Sequence, residues 1–317
     1  MNGLPIGHGH GPTDHFLFPI GIASISAPSA LISVIGEGSP CPMKKGTLTP
    51  IGSLLQDEPM NMQETPIRLT DSHGHKIAGI LASPLSATPC AVVLCHGFLS
   101  QKNSNTNRRL TALLVESGIA TFRFDWFGMG ESDGQIADLS IRTCCEQLQQ
   151  SMEFLRSRQY FHVGLIGSSF GGLISLFVAA QRPQLMALGL KCPVPDFSKM
   201  LRETLGDATM ERWKHTDELP NITSDGYPVR LRYAFYEECL SYDAYHAAQQ
   251  IKGPTLIVHG EMDEYVPDNM IQRLAGAFVG PIQVRIIPGA NHHFGRPEDF
   301  RKMTTDLANW MIAHLST

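Results

Sequence analysis

Six short runs of apolar, often β-branched residues, at 91–94, 120–124, 163–166, 186–190, 256–258 and 284–287, constrain the fold of this chain more than any other feature. A strand wetted on one face alternates apolar and polar residues, whereas near-continuous apolar runs suit strands buried on both faces, as in a parallel sheet covered by helices. Helical periodicity fills the intervals. Ile141, Cys145, Leu148, Met152 and Leu155 draw one apolar stripe, and Phe300, Met303, Leu307, Trp310 and Met311 draw another. Ahead of these, residues 67–70 and 77–81 flank the turn Asp71-Ser72-His73-Gly74-His75 and read as an antiparallel hairpin. The pattern predicts an α/β chain with one doubly wound, mostly parallel sheet and antiparallel strands at one edge.

The interval between Cys192 and Leu256 is longer than one crossover helix needs, so part of it is expected to sit outside the sheet layers, as a cap at about residues 193–250. It concentrates Trp213, Tyr227, Tyr233, Phe235, Tyr236, Tyr242 and Tyr245. Such rings build either the cap's own core or the wall of an acyl or aryl pocket; Trp213, Tyr233 and Tyr236, with Asp196, are the candidates for substrate contact. Residues 1–63 are different. Between Met1 and Met43 only Asp14 and Glu37 are charged, and a flexible leader ahead of a domain at 64–317 is expected. Residues 16–35 are uncharged, but Pro19 and Pro28 interrupt them and no Lys or Arg precedes them. Neither a signal peptide nor a membrane span is expected, and the expected location is cytoplasmic.

Charge narrows the partners. With 30 acidic against 25 basic side chains the formal charge is −5, a field that repels phosphate backbones and anionic lipid, so nucleic acid is not expected as a partner. Seven cysteines, an odd number without paired spacing, read as core thiols of a reducing compartment rather than as bridges or metal ligands. The runs His8-Gly9-His10 and His73-Gly74-His75 bring no third ligand nearby, and no metal or organic cofactor is expected.

The chemistry is carried by Gly167-Ser168-Ser169-Phe170-Gly171, a G-x-S-x-G segment between a buried strand and a helical pattern. A serine hydroxyl becomes a useful nucleophile when a sharp strand-to-helix turn thrusts it from the sheet beside a base, and flanking glycines let that turn close. Ser169 is the candidate nucleophile. In this topology an acid and then a histidine should follow. Asp263, with Glu261 as a substitute, lies in the loop after residues 256–258; His292 or its neighbour His293 lies in the loop after residues 284–287. His292 is the candidate base and Asp263 its orienting acid. Charge developing on the substrate's carbonyl oxygen needs two converging amides, for which Phe170 and Phe98 are placed. His96 reads as a hydrogen-bonded structural residue, and Cys95 sits at a strand end with no base in register.

Together, Cys95-His96-Gly97-Phe98, residues 122–134 including Gly128-Met129-Gly130, Gly167-Ser168-Ser169-Phe170-Gly171-Gly172, residues 260–267 and residues 289–294 resemble the α/β-hydrolase superfamily. More narrowly the chain is similar to serine esterases of the cinnamoyl/feruloyl type and to serine aminopeptidase-like and monoacylglycerol-lipase-like hydrolases, over residues 66–314. Relatives often carry Gly-His-Gly where this chain has Gly128-Met129-Gly130. The resemblance implies the α/β-hydrolase fold and hydrolysis of small to medium carboxylic esters with an apolar or aromatic acyl group. Two other readings stand beside it. One keeps the triad but cleaves a thioester or an N-terminal peptide bond, the latter needing cap acids such as Glu203, Asp207, Glu237 or Glu238. The other is a binding protein on the same fold, whose hallmark would be a lost Ser, His or Asp.

Overall fold

The computed structural model describes residues 62–219 and 228–315, so the expected leader lies, but for its last two residues, outside the described residues, as do Tyr227 and Cys41. The hairpin strands β1 (Met62–Thr70) and β2 (Lys76–Pro84) are followed by β3 (Cys90–Cys95), α1 (Asn105–Glu116), β4 (Ala120–Phe124), α2 (Ile141–Ser157), β5 (His162–Ser168), α3 (Phe170–Ala180) and β6 (Ala187–Lys191). The excursion then contains α4 (Phe197–Leu205), α5 (Asp207–Thr216), the two-residue strands β7 (Glu218–Leu219) and β8 (Val229–Arg230), α6 (Ala234–Cys239) and α7 (Ala244–Gln250). The chain returns through β9 (Thr255–Gly260), α8 (Asp268–Ala277), β10 (Ile282–Ile287) and α9 (Pro297–Leu315).

Eight strands form one sheet in the order β1-β2-β4-β3-β5-β6-β9-β10, antiparallel at β1–β2 and β2–β4 and parallel elsewhere. This is the α/β-hydrolase fold, a mostly parallel sheet sandwiched by helices. Side-chain alternation splits each central strand between two cores. In β3, Ala91, Val93 and Cys95 enter the core shared with α2, α3 and the excursion, while Val92 and Leu94 enter the one under α1 and α9. Helix starts are set locally, for Ser104, Ser140 and Asp196 side chains accept main-chain N–H groups of Asn107, Thr143 and Lys199 at the first turns of α1, α2 and α4. No helix among the described residues is long and apolar enough to cross a membrane.

Two details differ from the sequence reading. The run at 284–287 is not buried on both faces: β10 is the last strand of the sheet, has one neighbour, and buries only Ile287. On α2 the buried stripe takes in Cys144, Gln147 and Ser151, while Cys145 is only partly buried. Gln147 tolerates burial because its amide oxygen accepts the Phe127 N–H at 2.9 Å and its amide nitrogen donates to Asp71 at 3.3 Å. At the far end of the 193–250 excursion, α7 packs on α3 and α8, which flank the sheet.

Within that excursion Trp213 is fully buried and its indole N–H donates to the Leu231 carbonyl at 2.6 Å. Its ring meets Tyr233 edge-on at 5.2 Å, and Tyr233 lies 5.2 Å from Tyr236. Trp213→Ala should therefore destabilise the protein by about 3–5 kcal/mol, read from denaturant unfolding. A ring serving substrate instead would leave stability unchanged and raise KM.

Candidate active site

The nucleophile candidate sits at the end of β5, where the chain turns into α3 with no intervening loop. Ser169 has φ 53° and ψ −114°, a conformation costing about 1–3 kcal/mol for a residue with a side chain. Glycines make it possible. A Cβ at Gly167 would lie 2.5 Å from the Gly171 carbonyl, one at Gly171 would strike the Cys95 and His96 carbonyls, and one at Gly97 would come 3.4 Å from the Ser169 Cβ. The β3 loop thus lies directly against Ser169.

Two further loops meet it from the carboxyl ends of β9 and β10. His292 Nε2 lies 3.0 Å from Ser169 Oγ, and its Nδ1 lies 2.7 Å from Asp263 Oδ2. With Nδ1–H donating to the carboxylate, Nε2 is left free to accept the serine proton. The other Asp263 oxygen accepts the Tyr265 and Val266 amides at 3.0 and 2.9 Å, which fixes the carboxylate's rotation. Burial pushes the Asp263 carboxyl up, but the hydrogen bond and charge of His292 outweigh it and hold it at about 2. Burial lowers the His292 imidazole below its ordinary value, against the raising effect of Asp263.

The geometry separates the alternatives that sequence leaves open. His293 lines the cleft and meets His292 edge-on at 5.4 Å, but it bonds neither Ser169 nor Asp263. Glu261 turns away and accepts the Gly289 N–H at 2.8 Å, tying the two loops together. Burial pushes the Cys95 thiol up to about 12, so a thiolate there is inaccessible near neutrality. His96 is pushed down to about 4 by burial; its ring bonds the Gly97 carbonyl at 2.8 Å and accepts the Trp126 N–H at 3.2 Å. It braces the loop carrying Phe98. The rings of Phe98 and Phe170 pack with Phe197 and Phe235 from beyond β6, at centroid distances of 5.3 to 6.1 Å, so this part of the excursion bears directly on the two residues that flank the nucleophile.

Ser169 and His292 open into a cleft of about 1130 Å³. Phe98, Val194, Phe197 and Met200 give it an apolar side, while Ser104, Asn105 and Thr106 at the start of α1 give it a polar one. Trp213, Tyr233 and Tyr236, the candidates for substrate contact, are not among the residues that line it. Trp213 and Tyr236 are buried against one another, and the Tyr236 hydroxyl is held by the Arg202 guanidinium, so these rings form the excursion's own core. Asp196 is spent on the start of α4.

Three residues here lie outside every motif, Lys191, Cys192 and His259, and Glu264 lies in the 260–267 segment without a role assigned from sequence. Donor atoms of Cys192, His259 and Asp263 lie within 4.8 Å of one another, the one such grouping among the described residues with metal-ligand chemistry. The Asp263 carboxylate in it is already committed to His292, Tyr265 and Val266. His73 and His75 bond instead to Glu146 and Asp71 at 3.2 and 3.1 Å.

Comparison with known proteins agrees with this fold. The chain is 24% identical over 235 residues to the mitochondrial palmitoyl-protein thioesterase ABHD10 of Rattus norvegicus, covering 71% of this chain and 76% of the relative. Among solved structures it is similar to Est1E from Butyrivibrio proteoclasticus bound to ferulic acid, with a TM-score of 0.69 and 21% identity over 79% of this chain and 100% of that one. It is also similar to mouse α/β-hydrolase domain-containing protein 10, with a TM-score of 0.66 and 22% identity over 77% of this chain and 97% of that one. The model of the prolyl oligopeptidase family matches residues 135–317, which carry Ser169, Asp263 and His292, and the chain belongs to that family of α/β-hydrolases.

Proposed function

We propose that this hydrolase is a serine-dependent carboxylic ester hydrolase working through an acyl-enzyme. The observation that carries the reading is the unbroken relay from Ser169 through His292 to Asp263, at 3.0 and 2.7 Å, opening into a large cleft. Ser169 Oγ attacks the ester carbonyl as His292 Nε2 takes its proton, and Asp263 stabilises the imidazolium. The amides of Phe98 and Phe170 receive the oxyanion; among the described residues neither has a main-chain acceptor. The proton passes to the departing alkoxide, and a water deprotonated by His292 then releases the acid. The substrate is a small-molecule ester, and the cycle uses no cofactor. The six described free thiols suit the reducing, cytoplasmic setting expected from the sequence.

The cleft volume supports an extended acyl group on its apolar side, since ligand pockets commonly span about 300–1,000 Å³. The same volume favours, as a second reading, a long-chain thioester, the substrate type in the name of the rat relative. Amine recognition is less well supported. None of Glu203, Asp207, Glu237 and Glu238 lines the cleft; Glu238 accepts the first amides of α2, and Glu203 pairs with Lys199.

Hydrolysis of p-nitrophenyl esters from C2 to C12, beside matched S-acyl thioesters and an aminoacyl-anilide, tests the reading. Ser169→Ala should lower kcat by about 10⁴-fold or more, and equal turnover by both proteins would refute the assignment. KM should fall with acyl length, by at most about fourfold per methylene buried. Only neutral His292 can accept the serine proton, so activity should fall as pH drops through its pKa. The acid limb of kcat/KM is expected below 6.5, the ordinary imidazole value, because burial disfavours the cation. A limb above that value would contradict the account.

A further inference from the structure

Lys191 ends β6 with its side chain almost wholly buried, an unusual place for an ammonium without a paired role. Its main-chain carbonyl accepts the N–H of Ser169 at 2.9 Å. Its Nζ donates to the carbonyl of His292 at 2.7 Å and stands 5.4 Å over the Phe294 ring. One residue therefore holds the main chains of both reacting partners. On the other side of the same histidine, the His292 N–H donates to the Glu264 carboxylate at 3.0 Å. The two polar groups of His292's main chain are gripped by opposite charges, and charge-assisted hydrogen bonds are shorter and stronger than neutral ones.

We propose that Lys191 and Glu264 are positioning residues, an opposite-charge clamp that fixes the Ser169–His292 distance by holding the main chain of His292 while Lys191 also anchors that of Ser169. The proposal rests on His292 acting as the general base. It explains why a cation is retained beside an imidazole that must itself become positive. The loop from Gly289 to Phe294 joins β10 to α9 and has no regular structure of its own, so its registry against β5 must come from such contacts. A displacement of about 1 Å at a reacting group can cost about 10²-fold in rate. The other titratable groups around the imidazole are Asp263 and Tyr265 on the acid loop, His293 on its own loop, His259 at the end of β9, whose Nδ1 is 3.6 Å from Asp263, and Cys192 after β6, whose thiol lies within 4.8 Å of Asp263 and His259 donor atoms.

The test compares wild type, Lys191→Met, Glu264→Ala and Glu264→Gln by steady-state kinetics and by NMR titration of the ¹⁵N-labelled histidine rings. Lys191→Met and Glu264→Ala should each lower kcat by about 10- to 100-fold with KM within about threefold, while Glu264→Gln, which keeps an acceptor oxygen, recovers most of the loss. Because both act through one residue's main chain, the double variant should lose less than the product of the single losses. In Lys191→Met the His292 titration should move to higher pH, since no ammonium then opposes the imidazolium. In Glu264→Ala the His292 amide proton should move upfield. Wild-type kcat and an unmoved His292 titration in folded Lys191→Met would overturn the clamp, as would full multiplicativity. The His292 amide shift is read on resting protein, so an unmoved amide in Glu264→Ala would overturn the Glu264 half of the clamp even if Ser169→Ala shows that hydrolysis does not run through Ser169.

Discussion

The close approach of three main-chain segments at the carboxyl end of β5 is the constraint on which the rest of the structure depends. Ser169 can take its strained turn only because Gly167 and Gly171 leave no Cβ between the elbow, α3 and the β3 loop. A second approach mirrors the first, since a Cβ at Gly260 would run into the carbonyls of Ala290 and Asn291. That contact lets the acid loop after β9 touch the histidine loop after β10. The parallel pairing of β5, β6, β9 and β10 sends all of these loops to one sheet edge, and glycine allows them to meet there.

Electrostatics then turns proximity into chemistry. The imidazole of His292 is buried between a carboxylate that favours its cation and an ammonium that opposes it, and desolvation adds to the opposition. A base that is neutral at rest yet can be protonated in a transition state is what acyl transfer requires. The buried charges at Lys191 and Asp263 are individually costly to desolvate; the Asp263 carboxylate bonds the His292 ring at Nδ1, and the Lys191 ammonium bonds its main-chain carbonyl. The aromatic cluster of Phe98, Phe170, Phe197 and Phe235 packs the excursion beyond β6 against the residues on either side of the nucleophile.

Much of this was legible from the chain. The apolar runs mark six strands, and their alternation with helical stripes specifies a mostly parallel sheet. The proximity of Ser169, His292 and Asp263 follows from a local motif and from loops at successive strand ends, since in a parallel sheet all such loops share an edge. Three kinds of information were not legible. The exposure of β10 depends on its being the last strand, which apolarity alone does not encode. Whether Trp213, Tyr233 and Tyr236 face substrate or one another depends on how short helices roll in the excursion, and aromatic content is the same either way. Lys191 and Glu264 act through main-chain groups of a residue far along the chain, and no spacing rule connects them. The available hints were a lysine closing a buried run and a second acid beside Asp263.

The central claim is that Ser169 carries the acyl group, and peptide mass mapping after reaction with a fluorophosphonate probe tests it most directly. The account predicts a single stoichiometric adduct on the peptide containing Ser169, abolished in Ser169→Ala and slowed in His292→Ala. An adduct on another residue, or labelling that persists in Ser169→Ala, would contradict it.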